Sequence, residues 1–134
     1  PTALKHSVER LINSKRSFAG SNQMIFCYPL HDFATRVINC GDEKKMIHEA
    51  TICSTTSFFK KHKLKFKHTS QGECENLLDN VPNKDILLTN ICYLMMCLCH
   101  KGNSVDKTMF LKDEYKVEVE FDEILKNGII AIFK

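Results

Sequence analysis

Residues 86–100 read ILLTNICYLMMCLCH, the most apolar run of the chain, and whatever it becomes must lie near the centre of the fold. An element that is apolar all round is a buried one. Asn83 and Asp85 stand where a helix would open, and Gly102 stands where a C-terminal cap would close it, so the run reads as a long central helix. Cys92, Cys97, Cys99 and His100 all fall within it. They leave three readings open: a metal cluster, a reduced core, or a helix stapled by disulfides.

The 134 residues are expected to form one domain, residues 1–134. A chain of this length buries roughly two-thirds of its unfolded surface, enough for a single core. With 43% apolar and 26% charged residues, the composition is that of a globular protein. Nineteen Lys and Arg against sixteen Asp and Glu give a net charge of only +3, well short of the basic bias of nucleic-acid binders, so no nucleic-acid partner is expected. Nowhere does an apolar stretch reach the roughly 18–20 residues that span a bilayer, so no membrane insertion is expected either. The chain opens at Pro1 and reads as a mature or trimmed segment. Seven cysteines fit buried thiols in a reducing compartment or disulfides in an oxidising one, and the odd count leaves at least one unpaired.

Along the chain, Leu4, Val8, Leu11 and Ile12 recur at helical spacing and predict an amphipathic first helix with Thr2 as its cap and that stripe on the core. Residues 24–28 read as extended, and Pro29 discourages a helix beyond them. Asp42 would cap a second helix over 43–64, although the Ser and Thr content of 51–57 is poor for helix. Val117, Phe121, Ile124 and Leu125 fit a last helix, and Gly128 suggests that it bends or ends early. The expected fold class is therefore all-α, with four helical segments and two long connections.

On a helix, Cys92 and Cys99 share a face while Cys97 does not, which disfavours a metal site. No cysteine–histidine signature and no glycine-rich phosphate loop is present, so neither enzyme activity nor a cofactor is expected. The basic run at 60–68 holds five lysines and two histidines. It reads as a solvated helix end, with at most weak, salt-sensitive attraction to sulfated glycans.

Several stretches resemble one family. The opening PTALKHSVERLIN, through Thr2, Ala3, Leu4, Val8, Glu9, Leu11, Ile12 and Asn13, is similar to the first helix of interleukin-4/interleukin-13-like cytokines. CYPLHDFA at 27–34 resembles their first crossover, IHEATICSTTSFFKKHK their second helix, and KDEYKVEVEF the entry to their last. The resemblance implies a short-chain four-helix bundle, up-up-down-down, with two long crossover loops and room for a short two-stranded β pairing between them. It also implies a secreted, extracellular, monomeric type-2 cytokine that clusters cell-surface receptor chains. One of these would be like the interleukin-4 receptor alpha chain, with a second chain beside it.

The family's disulfides would map to Cys27–Cys74 and Cys53–Cys99, with Cys97 as an alternative to Cys99. Cys40, Cys92 and Cys97 remain without an assigned partner. The receptor-facing residues would be Lys5, His6, Glu9, Arg10 and Asn13 on the first helix. Lys84 and Lys101 flank the third, where the family carries an arginine that this chain lacks. An intracellular helical adaptor with reduced cysteines is the alternative reading, motivated by the long apolar run.

Overall fold

Residues 18–28 form the spine of the molecule, because Phe18, Ala19, Met24, Ile25, Phe26, Cys27 and Tyr28 are apolar on both faces of an extended chain and all are buried. A computed structural model of the chain describes residues 2–41, 45–66, 77–103 and 106–132. Strand β1 (Phe18–Gly20) runs into β2 (Gln23–Tyr28) across only Ser21 and Asn22. Each is the middle strand of a three-stranded sheet, with strand orders β4-β1-β5 and β3-β2-β6. β3 is Ala34–Asn39, β4 Cys53–Ser54, β5 Ile86–Leu88 and β6 Met96–Leu98.

Both middle strands have one antiparallel and one parallel neighbour. Phe18 pairs with Ser54 on one side and Ile86 on the other. Phe26 pairs with Arg36 and with Cys97. At the junction between the sheets Ser21 is fully buried and Asn22 half-buried, and the polar backbone there is satisfied from outside itself. Ser21 N–H donates to Thr51 Oγ1 at 2.8 Å, His48 N–H to Ser21 O at 2.8 Å, and Thr89 N–H to Gly20 O at 2.9 Å.

The all-α four-helix bundle expected from the sequence is overturned: the fold is mixed α/β, with two three-stranded sheets and three α-helices among the described residues. The central apolar run is two strands and a turn. The burial expected of the run is met only in part: β5 and β6 are edge strands, β6 half-buried throughout, and Tyr93 and Leu94 of the turn are 75% and 40% exposed, so an apolar run without a period fixed neither the element nor its depth. Asn90 decides it locally. Its side-chain oxygen accepts the Cys92 N–H at 3.1 Å and starts a turn that Leu94 and Met95 close by donating to Ile91 O.

The expected second helix also gives way. Thr51 Oγ1 donates to His48 O at 2.6 Å, so the side chain competes with the helical backbone there. What forms instead is a 3-10 turn, Glu49–Thr51, then β4, then the short helix α2 (Thr56–Lys61) capped by Thr55, whose hydroxyl accepts the Phe58 N–H. Asp42, expected as a cap, lies outside the described residues.

Helix α1 (Thr2–Ser14) forms where the periodicity places it, with Thr2 as its first residue, but it docks on a different edge. Ser7 and Leu11 are buried at 3% and 5% exposure, while Leu4 and Ile12 stand at 64% and 70%. Contacts with β1 and β4 set this orientation. Helix α3 (Glu123–Ile132) continues past Gly128, which does not end it.

Two cores result. Phe18, Ile47, Phe58, Leu64, Leu77, Leu78, Val81 and Ile86 make the first. Met24, Phe26, Tyr28, Ile38 and Cys99 make the second, on one face of β2.

A dithiol site on the second sheet

Partners across a ladder share a face, and alternate residues along a strand share it too. Phe26 pairs with Cys97, and the Cys99 N–H extends the same ladder by donating to Cys27 O at 2.7 Å. Cys97 and Cys99 therefore sit on one face with Phe26 and Tyr28, and both pack into the second core. Cys99 Sγ donates to Cys97 O at 3.7 Å, and the two thiols are near enough to shift each other's pKa.

Segment 107–117 covers this face. Tyr28 donates its hydroxyl to Lys107 O at 2.7 Å, and Lys107 Nζ stands 5.9 Å from the centre of the Phe26 ring. Phe110 meets Phe26 edge-on at 5.6 Å. From β3, Arg36 holds the cover: its Nη1 donates to Thr35 O at 2.8 Å, its Nη2 reaches Leu111 O at 3.4 Å, and Asp113 lies 3.7 Å away. The Arg36 side chain is only 9% exposed, and its Nε has no hydrogen-bond partner. Thr35 clasps the far end, donating its hydroxyl to Val117 O and accepting the Val117 N–H on its own carbonyl.

This setting separates the two thiols. The hydrogen bond from Cys99 lowers the Cys97 pKa to about 7 against the opposing effect of burial, and the Lys107 ammonium helps. Cys99 moves upward, first because its proton is held by Cys97, then by burial and by the Cys97 charge. Tyr28 is also raised, by burial first and then by Cys99, so its hydroxyl remains a donor. The other described thiols go the opposite way from Cys97. Burial pushes Cys27 up to about 11 and raises Cys40, Cys53 and Cys92.

Beside Cys99 lies a partly open cavity of about 580 Å³. Tyr28, Leu30 and His31 line it from the end of β2 and the turn beyond, and Cys99, His100, Lys101 and Asn103 from the end of β6. Asp106, Lys107 and Thr108 complete the wall. Asn103 shapes the turn by accepting the His100 N–H at 2.6 Å.

Elsewhere a cysteine–histidine contact looks more like an active site than it is. Cys40 Sγ lies 3.4 Å from His48 Nε2, but the same Nε2 is 2.9 Å from Ile38 O. A carbonyl only accepts, so Nε2 carries the proton and cannot take one from the thiol. Burial lowers the His48 pKa, which keeps the ring neutral. Among the described residues no group of three or more His, Cys, Asp or Glu side chains is placed to hold a metal ion.

The residues expected from the sequence scatter. Lys5, Glu9, Arg10 and Asn13 are exposed on α1 and His6 is half-buried there, with Lys5 and Glu9 only 3.9 Å apart as a surface pair. Lys84 is exposed on a 3-10 turn. Of this set only Lys101 reaches the cavity. Cys27, Cys53 and Cys99 are free thiols, Cys53 on the first sheet and Cys99 on the second, and Cys74 lies outside the described residues.

Cys97 and Cys99 as a pair were hidden by the choice of period. Residues two apart diverge on a helix and converge on a strand. Compared with known protein families, curated proteins and solved structures, the chain matches none.

Proposed function

We propose that the protein works by thiol–disulfide exchange through Cys97 and Cys99. The observation that carries this reading is the placement of two cysteines on one strand face, where Cys99 Sγ donates to Cys97 O at 3.7 Å, with Lys107 nearby over the Phe26 ring and a partly open cavity beside Cys99. A nucleophilic cysteine needs a thiolate fraction near neutral pH, and an attacking thiol is most effective with a pKa near the ambient pH. Cys97 meets that condition, and the other described thiols, shifted upward, do not.

In the first step the Cys97 thiolate attacks one sulfur of a substrate disulfide, R–S–S–R′. A Cys97–S–S–R bond forms, and R′S⁻ leaves and is protonated. Cys97 then carries no charge, so the influence that held the proton on Cys99 is gone. Cys99 loses that proton to solvent and attacks the Cys97 sulfur, and RS⁻ leaves. The dithiol is oxidised to a disulfide and the substrate is reduced to two thiols; the reverse sequence oxidises a substrate dithiol.

The receptor-ligand expectation drew on a four-helix resemblance, and the fold removes that support. Alkylation with iodoacetamide as a function of pH, read residue by residue by peptide mass spectrometry, tests the dithiol reading. Cys97 should react with a midpoint near pH 7, and Cys40 and Cys53, which are also half-buried, at distinctly higher pH. Cys99→Ser should trap a mixed disulfide on Cys97 that the native chain resolves. Indistinguishable profiles for Cys97, Cys40 and Cys53 would sink the proposal.

A further inference from the structure

We infer that the groove between β4 and α2 docks an extended segment of a partner protein that carries one large apolar side chain among acidic residues. The inference stands apart from the dithiol and gives a role to the basic run that opens at Lys60, of which Lys67 and His68 lie outside the described residues.

The groove follows from how α2 ends. Phe58 is buried in the first core, and Phe59 and Lys60, the next residues round the helix, line the groove. Lys63 takes a left-handed φ of 51° and closes the helix: its N–H donates to Lys60 O and the Leu64 N–H to Phe59 O, both at 3.1 Å. The reversal buries Leu64 in the first core and brings Phe66 back onto Phe59, the ring planes 27° apart and the centres 5.9 Å. Ile52, just ahead of β4, completes an apolar lining in which Ser54, Thr56 and the Lys60 head are the polar members. The volume is about 370 Å³, near the lower end of the roughly 300–1,000 Å³ typical of small-ligand sites, and the groove is open to solvent. Ile52 and Phe59 pack against the first core, so the floor is in place before anything binds, while Phe66 stands 49% exposed. Such a preformed apolar recess suits a single anchoring side chain.

Charge selects the partner. From residue 50 to residue 66 the chain has no Asp or Glu. Lys60, Lys61, Lys63 and Lys65 are exposed there, and among the described residues none of the four forms an ion pair. Lys60 stands in the groove wall, and Lys65 directly precedes Phe66. Carboxylates on either side of the anchor would meet these ammonium groups, an arrangement that steers the encounter and rejects cationic segments. Two other polyanions suit the lysines and not the groove. A sulfated glycan has no apolar side chain to set against Ile52 and Phe59. A nucleic-acid strand is held by successive stacked bases, whereas here Phe66 already stacks on Phe59, which leaves one exposed ring and no series of them.

The test is fluorescence anisotropy on the full reduced chain with short labelled peptides: a central Phe flanked by Glu, a central Ala flanked by Glu, and a central Phe flanked by Lys. A short oligothymidylate and a heparin fragment are the competing polyanions. The Phe–Glu peptide should bind about tenfold more tightly than its Ala counterpart, as an anchor in a recess does, and the Phe–Lys peptide should not bind measurably. In about 1 M salt, where screening acts within about 3 Å, affinity should fall while the Phe-over-Ala ratio persists. Phe66→Ser and Lys60→Glu should each weaken binding of the Phe–Glu peptide several-fold at near-native melting temperatures, and if the first fails to fold the second decides. Lys101→Glu, in the cavity beside Cys99, should leave binding unchanged. Equal affinities for the Phe and Ala peptides would reduce the patch to bare charge and overturn the inference. Tighter binding of the oligothymidylate or the heparin fragment than of the Phe–Glu peptide would overturn it in favour of those polyanions, and binding of no probe would overturn it outright.

Discussion

At the scale of single residues, the end of β1 beside the sheet junction leaves little room for a side chain. A Cβ built on Gly20 would stand 2.4 Å from Ile47 Cδ1 and 3.2 Å from Ile47 Cβ. The first of these atoms can swing away, but the second belongs to a branched side chain packed into the first core. Overfilling of this kind costs about 1–3 kcal/mol. Gly20→Ala should therefore lower the urea midpoint with an unchanged slope, and Gly20→Ala combined with Ile47→Val should recover part of the loss. His48 makes a second prediction. Burial lowers its folded pKa below its unfolded value, so between the two values the unfolded chain binds more protons. Stability should fall as pH drops below about 6.5, the ordinary histidine value. The fall attributable to this residue should cease once pH passes below its folded pKa. Chemical denaturation of native protein and His48→Gln across pH 5–8 checks this: the difference between them should change in that window and flatten above it.

At the scale of elements, α2 is too short to hold itself together. A six-residue helix has no independent stability, and its cap is a large share of what fixes its start. The Thr55 hydroxyl satisfies the Phe58 N–H at 3.3 Å, and Phe58 is a buried member of the first core. Thr55→Ala should cost about 1 kcal/mol, within the usual range of about 0.5–2 for lost caps, and Thr55→Ser should retain most of it. Thermal melts of the three proteins decide the point. Other elements show what the sequence could and could not convey. Residues 24–28 and the extent of α1 were legible because proline and helical spacing act locally. The face of α1 was not, because Leu4, Val8 and Leu11 offer one stripe while the small Ser7 marks the edge that docks. Nor was the identity of 86–100, since a run of apolar residues without a period does not say which element it forms, and its turn even leaves Tyr93 and Leu94 exposed. That single ambiguity concealed the site. Read as helix, Cys97 and Cys99 point apart; read as strand, they meet.

At the scale of the whole molecule, the redox state of the pair and the stability of the fold must be linked. Positions two apart on a strand have Cα atoms about 6.6 Å apart, near the upper limit of about 6.8 Å for a disulfide and beyond the common 5.5–6 Å. Closing the Cys97–Cys99 bond therefore tightens a backbone that is held in register by Ile25, Phe26 and Cys27 of β2 and covered by segment 107–117. The unfolded chain has no such register to defend. Oxidation should accordingly cost the folded state more than the unfolded one, and the oxidised protein should melt below the reduced protein. For a domain of this size each 1 kcal/mol amounts to about 3–5 °C. The thermodynamic cycle fixes a second measurement. If the fold disfavours the disulfide by 1.4 kcal/mol, its reduction potential must lie about 30 mV above that of the same two cysteines in an unfolded peptide. Calorimetry on the oxidised and reduced proteins gives one side of the cycle. Equilibration of the protein and of a peptide spanning residues 91–103 in glutathione buffers gives the other. The two numbers should agree in sign and size. A higher melting temperature for the oxidised form would mean that β6 accepts the bond without strain. The pair would then behave as a stabilising staple and lose the poise that ready exchange requires.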